Sequence, residues 1–181
     1  MGRKTLVLDL DETLVHSQFK YVEGADIVLP VEIEGQIWEI YILVRPGVKE
    51  FLNRVAKHFE LVVFTASLSK YAEPLVAQLD PEGLCQYKLF REHCTHFNNA
   101  FVKDLTRLGR PMSDVIIVDN SPIAYLWQPE NAVPCTSWYD DMSDCELDRI
   151  ATLLEKLAYE EDVRKVIRKV IKNNAIDDKA E

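Results

Sequence analysis

The stretch LVLDLDETLVHS, residues 6–17, sets two aspartates at the end of an aliphatic run. Leu6, Val7, Leu8 and Leu10 read as a strand buried on both faces, predicted over residues 5–10. Carboxylates rarely enter a core unpaired, so Asp9 and Asp11 mark where that strand meets something polar. In extended backbone, residues i and i+2 point to one side. Asp9 and Asp11 should therefore face one cavity, with Cα atoms roughly 6–7 Å apart, while Leu10 turns the other way into packing.

Outward from this strand the pattern repeats. ELVVF (60–64) is a second buried strand that ends in Thr65-Ala66-Ser67, and DVIIV (114–118) is another that ends in Asp119-Asn120. Residues 86–91 and 99–103 read as short strands. Between them, Val48, Phe51, Leu52, Val55 and Phe59 recur at helical spacing, as do Leu68, Tyr71, Leu75 and Leu79. DIVLPVEI (26–33) and IWEIYILV (37–44), split by Glu34-Gly35-Gln36, read as a hairpin. Ser143-x-x-Glu146 has the form of a capping box opening a helix to about Ala158, and Val163, Val166, Ile167, Val170 and Ile171 line a last one. RKVIRKVIK within it resembles a nuclear-localisation run but reads better as a solvated helix face. Residues 173–181 read as frayed.

Strands alternating with helices predict an α/β fold with a central parallel sheet covered on both faces. In such sheets ligands bind at the carboxyl ends of the strands, so Asp9/Asp11, Thr65 and Asp119/Asn120 should meet at one edge. The length of 181 residues suits a single domain. The segment between Asp11 and Thr65 has room for the hairpin insertion (about 19–44), a helix and connections, and no large cap domain.

A net charge of −9 argues against direct nucleic-acid binding. No apolar run approaches a membrane span. Met1-Gly2-Arg3-Lys4 leads straight into the first strand without a signal-peptide pattern. Cys85, Cys94, Cys135 and Cys145 form no C-x-x-C pair, which favours reduced thiols in an intracellular protein. His93, Cys94 and His96 cluster, but no second ligand group has zinc spacing.

The strand-end residues suggest a chemistry. Two carboxylates in different surroundings can divide their roles, one ionised and one carrying a proton, and an ionised carboxylate can be a covalent nucleophile. With Asp119 and Asn120 added, the donors are all oxygen, which suits Mg2+. Phosphoryl transfer also needs a lysine and N–H groups to offset the phosphate charge. Lys103, flanked by apolar residues in Phe-Val-Lys-Asp-Leu, and Thr65, as cap of the following helix, are the candidates.

The motifs DLDET (9–13), Thr65, Lys103 and Asp119-Asn120 resemble, in that order, those of the haloacid-dehalogenase-like phosphatases. With VVFTASLSKYA, LFREHC, FVKDLTRLGR, VDNSP and SWYDDMSD, nearly the whole chain is similar to the small C-terminal-domain phosphatases. Those remove phosphate from serine in the repeated tail of RNA polymerase II and from other phosphoproteins. The resemblance implies a Rossmann-like fold of that superfamily and a nuclear setting. It implies Asp9 as nucleophile and Asp11 as general acid then base. Thr65 and Lys103 would hold phosphoryl oxygens. Mg2+ would be held by Asp9, the Asp11 carbonyl and Asn120, with Asp119 supporting from behind. An amide at Asn120, where the wider superfamily usually carries an acid, lowers the site's negative charge by one unit.

The resemblance also implies that Phe19, Val31, Ile33, Ile40, Leu68 and Tyr71 line a groove for a proline beside the phosphoserine, with Arg91 on the phosphate or its flank. Apolar and aromatic grooves favour such pre-extended peptides. The alternatives are hairpin core for the apolar residues and a structural salt bridge for Arg91. A small-molecule phosphatase of the superfamily, a catalytically silent phosphopeptide-binding module and an aspartyl-phosphate receiver are the competing functions. The missing cap counts against the first, and intact catalytic positions against the second. The proton-handling Asp11 counts against the third.

Overall fold

In a computed structural model, described over residues 2–177 with side chains as far as Ile171, the elements are as follows in chain order. Strand β1 is Lys4–Leu8, β2 Val15–Gln18, β3 Ile27–Ile33 and β4 Gln36–Val44, followed by helix α1, Val48–Val55. Then come β5 (Phe59–Phe64), α2 (Ser69–Leu79), β6 (Cys85–Leu89), β7 (Thr95–Phe97) and β8 (Ala100–Val102). The chain continues through β9 (Val115–Asp119), β10 (Ala132–Pro134), α3 (Glu146–Leu157) and α4 (Val163–Asp177). Of residues 173–181, expected to be frayed, 173–177 instead continue α4, and 178–181 lie outside the described residues. None of the described helices is long and apolar enough to cross a membrane.

The central sheet has the order β10-β9-β1-β5-β6 and its pairs are all parallel. Its residues divide between two faces with period 2. Leu6, Leu8, Leu61, Val63, Ile116 and Val118 enter the larger core with the buried faces of all four helices. Val7, Val62, Phe64, Val115 and Ile117 point to the opposite face. That face is closed without an α-helix, by Leu105, Leu108, Met112 and Tyr125 from the 3-10 turns and loops between β8 and β10. The sheet is thus covered on both sides, as expected, but unequally.

The hairpin is β3–β4, turning through Glu34 and Gly35, both at positive φ (52° and 79°). This is the two-residue turn whose twist matches the strands it joins. It gains a third strand, β2, which pairs antiparallel with β4 from Val15↔Val44 to Gln18↔Tyr41. The insertion therefore starts earlier than residue 19.

Two expectations are corrected. Phe59 opens β5 and does not continue α1, which stops at Val55. A residue at i+4 from Val55 also fits the start of a buried strand. The capping box does not form: Cys145 is the N-cap of α3 and caps with no side chain. Ser143 donates instead to Asp141 (2.6 Å), and Glu146 accepts from Arg45 (2.7 Å) and the Thr136 N–H (3.2 Å).

The cause is Arg45, whose side chain is fully buried. Its Nε and Nη2 bind the two Asp144 oxygens at 2.8 Å each, and Nη1 reaches the Thr13 carbonyl at 3.1 Å. A buried charge is tolerable when paired this completely. Arg45→Ala strands two carboxylates and a buried carbonyl. It should cost about 3–5 kcal/mol, read as a lower urea midpoint.

Candidate active site

The ladder between β1 and β9 continues one residue past β1, with the Asp9 N–H donating to the Val118 carbonyl at 3.0 Å. The chain then reverses around Leu10. That carbonyl accepts from the N–H groups of Leu14 (2.9 Å) and Val15 (3.2 Å), and the side chain is fully buried. Glu12 completes the reversal in the left-handed region (φ 58°), a conformation that costs a non-glycine residue energy and clusters at functional turns. The result leaves Asp9 and Asp11 on the same cleft, a cavity of about 410 Å3 that Thr65, Lys103, Asp119 and Asn120 also line. The strand ends converge on one edge, as expected.

Lys103 follows β8, whose short hairpin with β7 lies outside the main sheet. It is buried, and its Nζ lies 2.6 Å from Asp9 Oδ1 and 2.6 Å from Asp119 Oδ2. Burial lowers its pKa, but the two carboxylates outweigh that and hold the ammonium charged above the ordinary lysine range. Burial pushes Asp119 up to about 6, with Lys103 opposing the rise. Asp119 thus serves Lys103 directly and also accepts from the Ser121 N–H at 2.9 Å.

Asp11 has different company. Among the described residues its carboxylate pairs with no cation; it accepts from the hydroxyls of Ser67 and Tyr71, each at 2.7 Å. Burial raises its pKa; these two hydroxyls lower it, and the Asp9 charge raises it. Thr65 is not a helix cap: it follows β5, four residues before α2, and Leu68 is the N-cap. Its hydroxyl instead accepts the Ser67 N–H at 3.0 Å, fixing the turn that aims Ser67 at Asp11.

The donor set fits a hard divalent cation. Thr13 Oγ1 lies 2.8 Å from Asp9 Oδ2 and 3.3 Å from Asn120 Oδ1, so one hydroxyl gathers a carboxylate and an amide oxygen from distant strands. The Asn120 amide N–H donates to Ser137 at 2.8 Å, which turns its oxygen inward. Among the described residues no three His, Cys, Asp or Glu side chains converge as a metal cluster. Such a cation would therefore draw on Asn120 and backbone oxygen, ligands typical of Mg2+. His93, Cys94 and His96 are used elsewhere: His93 accepts the Phe90 N–H (2.9 Å) and His96 packs against Phe101.

Beside this cleft runs a second, of about 360 Å3, which shares Asp11, Ser67 and Arg91 with it. Phe19, Val31, Ile33, Ile40, Leu68, Tyr71 and Arg91 all line it. Val31 and Ile40 also belong to the hydrophobic core, whereas Phe19 and Leu68 are exposed. Arg91 forms no salt bridge among the described residues. It donates to the Ala66 carbonyl (2.6 Å) and stacks over Phe101 (5.0 Å).

The family model described as NLI interacting factor-like phosphatase matches residues 4–164. The chain belongs to that family. It is 54% identical over 167 residues to a probable C-terminal domain small phosphatase of Dictyostelium discoideum, covering 92% of this chain and 55% of that protein. It is 52% identical over 169 residues to a human CTD small phosphatase-like protein, covering 93% and 61%. The chain thus spans little more than half the length of these relatives. A solved structure of Fcp1, described as an essential RNA polymerase II CTD phosphatase, superposes with a TM-score of 0.65 at 22% identity, covering 90% and 52%. That likeness concerns the fold, a central parallel sheet with helices packed against it; among the described residues no large cap is inserted.

In and around the cleft, sequence reasoning missed Ser67, which lines it, and Thr13 and Ser137, which bind its Asp9 and Asn120. Thr13 stood in DLDET as an unassigned residue and Ser67 in Thr-Ala-Ser at a strand end, so position signalled both. Ser137 opens the SWYDDMSD stretch, which the resemblance marks without giving it a role; it reaches Asn120 through the loop after β10, a strand also unpredicted.

Proposed function

We propose that the chain is a Mg2+-dependent phosphoprotein phosphatase that removes phosphate from serine through a phospho-aspartate on Asp9. One observation carries this reading. Asp9 and Asp11 share a cleft, yet Asp9 is bound by an ammonium and Asp11 only by hydroxyls. An ammonium held against a carboxylate offsets charge where an anionic phosphate must approach the nucleophile. A carboxyl whose pKa is raised by burial retains a proton to give.

Asp9 Oδ attacks phosphorus as the bond to serine oxygen breaks, and Asp11 gives its proton to that oxygen. A water then attacks phosphorus, Asp11 takes its proton, and the bond to Asp9 breaks, releasing phosphate. Lys103 and Thr65 hold phosphoryl oxygens. Asp9, the Asp11 carbonyl and Asn120 would hold Mg2+, which when bound neutralises phosphoryl charge. Asp119 keeps Lys103 charged.

The substrate is a phosphorylated tail or loop. The cleft is open, and the adjoining groove suits a proline beside the phosphoserine. RNA polymerase II repeats are candidates, because relatives carry that name. With four free cysteines, a reducing nuclear or cytoplasmic location fits this reading.

The test is phosphate release from a serine-phosphorylated, proline-flanked peptide. Chelating Mg2+ should stop release, and Asp11→Asn should slow it about 10²–10⁴-fold with the fold intact by circular dichroism. Indifference to chelator, or near-normal turnover by Asp11→Asn, would sink the mechanism. Release from small esters but never from peptides would favour a small-molecule phosphatase.

A further inference from the structure

The groove beside the phosphate site does not end where the proline would sit. On the inner face of the β3–β4 hairpin, the paired positions Leu29↔Ile40, Val31↔Trp38 and Ile33↔Gln36 form successive rungs. The rung next to Ile40 places Trp38 on the same face, two residues back along β4 toward the hairpin turn. There a further cleft of about 410 Å3 opens, lined by Phe19, Ile33, Glu34, Gln36 and Trp38. It shares Phe19 and Ile33 with the groove.

Trp38 is 44% exposed and Phe19 57% exposed, and their rings meet edge to face at 5.9 Å. Two large aromatic rings left uncovered in a continuous groove are an unfilled apolar contact surface. Rungs two residues apart lie about 6.8 Å from one another, the same interval as alternate side chains of an extended peptide. One strand-like peptide can therefore fill both clefts in register. The Glu34 carboxylate at the far end disfavours an acidic occupant.

We propose that Trp38, Phe19 and Ile33 form a second apolar subsite for an aromatic side chain of the phosphorylated protein, two residues outward from the side chain in the first. This rests on the phosphoprotein reading and specifies its substrate class: a phosphoserine followed outward by two apolar residues on one side of an extended chain.

The probes are fluorescein-labelled, serine-phosphorylated peptides in a Gly/Ser background. One carries a proline next to the phosphoserine; a pair adds a phenylalanine two residues beyond the proline on either side. Affinity is read by anisotropy on the Asp9→Asn chain, which should not consume the peptide, and phosphate release on the Asp9 chain. Phenylalanine in one direction should raise affinity about tenfold, the gain expected of one aromatic contact. Trp38→Ala should remove that gain without weakening the proline-only peptide, and Trp38→Phe should keep most of it. Trp38 is half in solvent, so neither substitution threatens the fold. No gain in either direction, or the same gain with Trp38→Ala, overturns the subsite. Binding with the gain but no phosphate release by the Asp9 chain keeps the subsite and sinks the phosphatase reading.

Discussion

Asp9→Asn is expected to abolish turnover, by about 10⁴-fold or more as for other lost nucleophiles, while the protein stays folded. The amide cannot form the phosphoryl-enzyme. Its oxygen can still face Lys103, and Lys103 keeps its second partner, Asp119, at 2.6 Å. No buried charge is therefore left without a counterpart. The measurement is phosphate release from the proline-flanked phosphopeptide beside a urea melt of the same sample. Loss of turnover with a nearly unchanged midpoint is the expected pair of results. Turnover near that of the parent chain would remove Asp9 from the chemistry.

Lys103→Met is expected to be the most damaging change in the site, because it removes the cation that sits between two buried carboxylates. Breaking a buried ion pair in this way costs about 3–5 kcal/mol. The pH dependence has a definite sign. Asp119 already titrates at about 6 with Lys103 present, above the ordinary value of about 3.9 for an unfolded aspartate. Its folded form therefore holds a proton more tightly, and the stability due to that proton is lost as pH rises from about 4 through 6. Without Lys103 the Asp119 value rises further. The stability gap between Lys103→Met and the parent chain should thus be smaller at pH 5 than at pH 8. Urea denaturation at the two pH values measures it; a gap that widens at pH 5 would mean that Asp119 does not depend on Lys103.

Much of this arrangement was legible in the sequence for a physical reason. Asp9 and Asp11 sit where an aliphatic run should have stayed apolar, and the same break recurs at Thr65 and Asp119. Parallel sheets bring such breaks to one edge, so local anomalies predicted a shared cleft. Contacts that depend on a particular turn or a distant partner were not legible. The role of Thr13 exists only because the chain reverses around Leu10. Glu146 reads as a capping partner for Ser143 until Arg45, far away in sequence, draws it elsewhere. Strand β2 carries His16, Ser17 and Gln18, too polar to register as a strand without the β4 edge it completes. Strand β10 has three residues, too few for any period to show.

The most direct test of the central claim is to look for the phosphoryl group on Asp9 itself. Asp11→Asn enzyme, whose Asp9 can still attack phosphorus but which lacks the base that activates water, is mixed with an activated phosphate ester and Mg2+, quenched in acid and digested. The account predicts that the peptide containing Asp9 gains the mass of one phosphoryl group and that Asp9→Asn never does. An unmodified Asp9 peptide alongside continuing phosphate release, or phosphoryl mass on another residue, would contradict it.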